Sequence, residues 1–223
     1  MSDVQGLCIE RFAPVRDAFA ASFASGEELG AGFAFAVVMQ AHAAKAVVIV
    51  LGNGLAQNCY EAALAISKGL VYFPPVMTGT LIDLKPIQLC TAALDEGDLS
   101  GRDLAGTLVN RGVLQFIEAN YAASLKDFDQ ALRYDDKIGE AHANRGATLV
   151  ALKRWAESIP AIDKGIALGA AELEKSYYNR AIAHEELGNV KGAYYDYQKA
   201  LELKPGWEAP TQQLTRFTVR KKS

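Results

Sequence analysis

Three groups of residues have the type and spacing to do chemistry. The run Val47-Val48-Ile49-Val50 leads through Leu51 into Gly52, Asn53 and Gly54. A β-branched run followed by G-x-G and a helix imitates the start of a dinucleotide site, where glycines let the backbone approach a pyrophosphate. Gln57 stands where the third glycine is needed, and no acidic residue lies about twenty positions on to hold a ribose. His184 beside Glu185 and Glu186 supplies an imidazole and two carboxylates, but adjacent helix positions point in different directions, so they form a charged surface rather than an acid–base pair. Cys8, Cys59 and Cys90 contain no C-x-x-C, and His42, His142 and His184 lie far apart, whereas zinc needs three or four clustered ligands. The expectation is a chain that is not an enzyme, with no cofactor and no metal.

Composition narrows the class further. The chain has 223 residues, half of them hydrophobic and 22% charged, which is the balance of a globular protein with a real core. A formal net charge of −3 provides no basic field for nucleic acid or an anionic membrane. Abundant alanine and sparse proline favour helix.

A further pattern is an asparagine that recurs. Asn110-Arg111-Gly112 returns as Asn144-Arg145-Gly146 and again as Asn179-Arg180-Ala181, at steps of 34 and 35 residues. The flanks agree too. Each unit has an apolar-periodic stretch, a polar break around Ala119, Lys153 or Gly188, and a second apolar-periodic stretch. In the third unit Ala193, Tyr194, Tyr197, Ala200 and Leu201 fall at spacings of three and four, one face of a helix, and Pro205 stops it. A fixed period of this length marks a repeat architecture.

The units resemble the tetratricopeptide repeat (TPR) family. Small residues stand early in each unit at Gly112, Gly146 and Ala181, and at the close helix crossing at Ser124, Ser158 and Ala193. Bulky residues follow at Phe128, Ile162 and Tyr197, then small ones at Ala131, Gly165 and Ala200. The family's closing proline is met only by Pro205, and the second unit carries one extra residue near Leu168 to Leu173. The resemblance implies an all-α fold: a TPR helical-hairpin solenoid with a capping C-terminal helix and a less regular N-terminal segment. The expected organisation is three units at about 105–138, 139–173 and 174–207 within 103–205. A capping helix and basic tail follow at 206–223, with Trp207, Leu214 and Phe217 covering the last pair. An irregular lead-in occupies 44–102, with helices near 54–69 and 86–97.

Residues 1–43 form a poorly defined or cleavable segment. Ala31 to Met39 is too short a run to span a bilayer but has the length of a secretory signal core, and Ala41-His42-Ala43 supplies a small-x-small cleavage pattern. The late start of the run and the acidic Glu27-Glu28 before it count against export. The chain is expected to be periplasmic or secreted if 31–43 is a signal, and otherwise cytoplasmic. Residues 11–32 also resemble the opening of a β-lactamase-like serine esterase, but the S-x-x-K nucleophile motif is absent, so the resemblance implies no activity. Leu70 to Thr80, with Pro74-Pro75, reads as a loop. If the chain is cut after Ala43, Cys59 and Cys90 remain as an even pair and favour a disulfide; the alternative is two buried free thiols.

What the resemblance implies for function is a non-enzymatic interaction module. A groove lined by the first helices would hold a peptide or partner segment through Val109, Asn110, Val113, Asn144, Ala147, Lys175, Tyr178, Asn179 and Ile182, with the aromatic Tyr178 as anchor. The partner is a protein or peptide; nucleic acid and a stable membrane span are not expected. A second possibility is that the lining is covered by the chain's own N-terminal segment. The asparagines are expected to bond between repeats, as a ladder fixing helix orientation, in preference to touching a ligand. The adjoining arginines are expected to pair with acids of the preceding second helix, such as Asp127 or Asp129. Asn144 and Lys175 fit two positions of the family's carboxylate clamp, but Val109, Val113 and Asn179 stand where the other donors are needed. The alternatives are an enzyme using an N-terminal site and a scaffold subunit with no peptide ligand.

Overall fold

The computed structural model describes residues 46–50, 54–70, 85–96 and 99–218. The signal-like run at 31–43 and most of the proline-bearing loop lie outside the described residues. Among these the regular structure is all helical: α1 Gly54–Ser67, α2 Pro86–Asp95, α3 Gly101–Ile117, α4 Tyr121–Tyr134, α5 Gly139–Ala151, α6 Trp155–Ala167, α7 Leu173–Glu186, α8 Val190–Leu203 and α9 Glu208–Leu214. Helices α3/α4, α5/α6 and α7/α8 are the three repeat hairpins.

Backbone chemistry sets the turn of each hairpin. Helix α3 ends with Ala119 at φ 61°, and the Asn120 N–H donates to the Gln115 carbonyl while Ala119 N–H donates to Phe116. Lys153 and Gly188 occupy the same left-handed position, with the same pair of bonds to Leu149 and Val150 and to His184 and Glu185. These are six-to-one and five-to-two closures of a helix C-terminus, which satisfy carbonyls that would otherwise lack donors. Only the third unit places a glycine there, where the left-handed conformation carries no Cβ penalty.

Small residues let the two helices of a hairpin approach. A Cβ on Gly146 would lie 2.3 Å from Ile162 Cγ1, and one on Gly165 would lie 2.8 Å from the Ala143 backbone nitrogen. Ser124, wholly buried, donates its hydroxyl to the Gly112 carbonyl at 2.8 Å, so the polar group at that crossing is satisfied.

The ends of the stack are covered in different ways. At the first repeat, α1 and α2 pack on α3 and are joined by a disulfide between Cys59 and Cys90, with Cα atoms 4.7 Å apart. At the last repeat, Tyr178, Tyr197, Trp207 and Phe217 gather beneath and beside α9. Ring centroids lie 5.0 Å apart for Tyr178–Trp207 and 5.6 Å for Tyr178–Tyr197, within the range of favourable aromatic pairs. No helix among the described residues is long and apolar enough to cross a membrane.

Candidate functional site

Asn110, Asn144 and Asn179 sit on α3, α5 and α7, the first helices of the three hairpins, and all three are buried. The expected repeat-to-repeat bonds are not what Asn110 and Asn144 make. Asn110 accepts from the Val48 N–H at 2.8 Å through Oδ1 and donates to the Val48 carbonyl at 2.8 Å through Nδ2. Asn144 Nδ2 donates to the Ala46 carbonyl, again at 2.8 Å. A primary amide carries donors and acceptors that match one peptide unit, so an asparagine facing an extended chain replaces a neighbouring strand. Helix backbone groups, by contrast, are already bonded along their own helix and have little to offer the next repeat.

The held segment is Ala46–Val50. Its burial alternates: Ala46, Val48 and Val50 are buried while Ile49 is 65% exposed, the period of two of an extended chain. Val48 packs with Ala105, Leu108, Val109 and Val113. Val50 packs with Ala56, Ala93 and Leu99. Gly106 makes the approach possible: a Cβ there would lie 2.9 Å from Val50 Cγ2 and 3.0 Å from Val48 Cγ1. Val47, on the other side of the segment, packs near Cys59, Cys90 and Leu114. The segment thus lies over the first two hairpins and is pressed between α3 and the disulfide-joined pair.

The ladder is filled unevenly. Asn110 uses both halves of its amide. Asn144 Oδ1 is buried with no partner among the described residues, and so are Asn179 Nδ2 and Ser176 Oγ. Beside the ladder runs a row of ion pairs. Arg111 forms a fork on Asp127 at 2.7 and 2.8 Å, and Arg145 meets Asp129 at 2.6 Å. Arg180 forks on Asp196 and also reaches Asp163 at 2.5 Å. Arg145 and Arg180 therefore reach the preceding second helix, while Arg111 and Arg180 clasp the second helix of their own hairpin. The hydrogen bonds to Asp127 and Asp196 hold the Arg111 and Arg180 guanidinium groups even more firmly protonated than usual, against the opposing effect of burial.

Of the groove residues read from the sequence, Val109, Asn110, Val113 and Asn144 converge on the segment. Ala147 packs instead with Phe116. Ile182 joins the aromatic cluster at the far end, and Lys175 pairs with Glu172 at 2.5 Å. Tyr178 is not an open anchor: it is 2% exposed, covered by Trp207 and packed on Tyr197, because its face of α7 receives the C-terminal cap. With Asn144 on Ala46 and Lys175 on Glu172, both clamp-like positions are engaged within the chain. Sequence reasoning missed Ala46, Val48, Val50 and Gly106. The signal was present as a β-branched run with no second strand to pair with. No group of three or more potential metal ligands occurs among the described residues.

Helical hairpins at this period, crossing on small residues, define a repeat solenoid. Residues 174–206 match the family model of the tetratricopeptide repeat, and the chain carries that repeat there. It is 30% identical over 117 residues to the DnaJ homolog subfamily C member 7 homolog of Schizosaccharomyces pombe, covering 51% of this chain and 24% of that protein. It is 32% identical over 153 residues to the protein of the same name from Dictyostelium discoideum, covering 67% of this chain and 25% of that one. The chain thus spans about a quarter of the length of the curated relatives it matches. Among solved structures, MamA superposes with a TM-score of 0.51 at 19% identity, over 58% of this chain and 72% of that one, a likeness of fold.

Proposed function

We propose that this chain is a non-enzymatic interaction module that holds an extended protein segment in its groove by the segment's backbone. The supporting observation is the two-bond grip of Asn110 on Val48, continued by Asn144 on Ala46. Such a site reads peptide groups at alternate residues, as strand addition does, and takes its side-chain preference from the floor beneath. That floor, with Gly106 at its centre, suits small and β-branched residues. The test is an NMR titration of the isotope-labelled chain with an end-capped nonapeptide of alternating valine and alanine, taken to millimolar concentration. The side-chain amide signals of Asn110 and Asn144 should move, and the same peptide N-methylated at alternate residues should leave them in place. If those amides stay unmoved, or if movement needs a free terminal carboxylate, the reading fails.

We also propose an oxidising compartment, periplasmic or extracellular. The Cys59–Cys90 linkage supports this, since disulfides persist where thiols are not kept reduced. Intact mass after alkylation of protein taken from its native cell tests it: Cys59 and Cys90 should take up no alkyl groups until reductant is added.

A further inference from the structure

We propose that Ala46–Val50 is a displaceable occupant of the groove, holding in cis the place that an extended partner segment takes in trans. The proposal rests on the backbone-reading groove above and adds its regulation. The resident segment uses the ladder incompletely. It satisfies Asn110 fully and Asn144 by half, while Asn144 Oδ1 and Asn179 Nδ2 remain buried without partners among the described residues. Asn179 is 4% exposed, so its unmet donor sits where only a well-seated group can reach it. A partner that also presents peptide groups to Asn144 Oδ1 and Asn179 gains bonds that the described resident lacks. Burying unmet polar groups is costly, and relieving them favours the newcomer.

The geometry also fixes the partner's direction and chemistry. Val48 lies on Asn110 and Ala46 on Asn144, so a segment running the same way points its N-terminal end toward Asn179. Backbone recognition leaves the sequence free except at the buried alternate positions, where Gly106 admits branched methyl groups and excludes nothing smaller. The occupant is therefore an uncharged extended segment with small or β-branched residues at alternate positions. The resident competes from a short tether, which gives it an effective concentration on the order of millimolar.

The experiment uses the full chain and two end-capped fluorescent peptides, the uncharged nonapeptide AVAVAVVIV and the pentapeptide AVVIV. Val48→Pro removes the N–H from which Asn110 accepts and changes no residue of the repeats. The nonapeptide should bind Val48→Pro about tenfold or more tighter than it binds the unaltered chain. In the Val48→Pro background, Asn179→Ala should weaken the nonapeptide several-fold and leave the pentapeptide unchanged. Equal binding to both chains would overturn the resident's role while leaving the groove reading standing. Absence of binding to Val48→Pro, with its helical circular dichroism intact, would overturn both. Amide exchange of the unaltered chain decides the matter even if Val48→Pro does not fold. The Val48 amide should exchange through local opening, well before the core amides of α3. Exchange of Val48 only together with those amides would sink the proposal.

Discussion

The first and last repeats share one hairpin geometry, yet their ends are finished by opposite means. The first is covered by α1, α2 and a five-residue extended segment, joined by a disulfide and by side-chain-to-backbone bonds over aliphatic residues. The last is covered by its own continuation, α9, over tyrosine and tryptophan rings. A terminal repeat must hide a face that inner repeats bury against a neighbour. At one end a distant piece of chain does this and needs anchoring. At the other, the next few residues do it, and aromatic area suffices without a staple.

The disulfide offers the largest way to break this contrast. Replacing Cys59 and Cys90 together by alanine reopens a link across 31 residues and should cost about 3–4 kcal/mol on the chain-entropy account. Urea denaturation measures it, and a loss under about 1 kcal/mol would show that packing alone retains α1. Next comes the ladder. Asn110→Ala leaves the Val48 N–H and carbonyl without their partners and should cost about 2–3 kcal/mol, whereas Asn179→Ala should cost under about 1 kcal/mol. Equal effects would mean that the two ends use their asparagines alike.

At the aromatic end, Trp207→Ala removes the ring that covers Tyr178. Trp207 is only partly buried, so the loss should be about 2 kcal/mol, below the range for a fully buried tryptophan. The smallest effect is in pH. Burial pushes the Tyr178 hydroxyl up to about 12 and raises that of Tyr197 as well. The unfolded chain releases these protons first, near pH 10, so the contribution is fully present below that value and declines as pH rises toward 12. Thermal melts should show about 1 kcal/mol lost through Tyr178 by pH 11. Tyr178→Phe should flatten that decline, and a decline unchanged in the variant would place its cause elsewhere.

Much of the fold was written in local pattern. The 34- and 35-residue steps, the small residues at Ser124, Ser158 and Ala193, and the apolar spacing in each unit are properties of neighbours in sequence. Helix periodicity follows from such neighbours alone. The turn residues were harder. Gly188 announces a left-handed cap, but Ala119 and Lys153 take the same conformation because the hairpin demands it, not because their side chains favour it. Tyr178 shows the same limit: aromatic type and helix position were legible, but not which of two surfaces its face would meet.

Residue spacing alone puts the three asparagines at equivalent places on the first helices of three hairpins. What they hold follows from how the chain folds back over them. The partners of Asn110 and Asn144 lie 62 and 98 residues away and are peptide groups, which every residue carries in the same form. No residue type can announce such a contact, because it is made by the part of the chain that does not vary. It arises when the fold lays Val48 over Gly106, a glycine whose missing Cβ gains its meaning from the segment that crosses it.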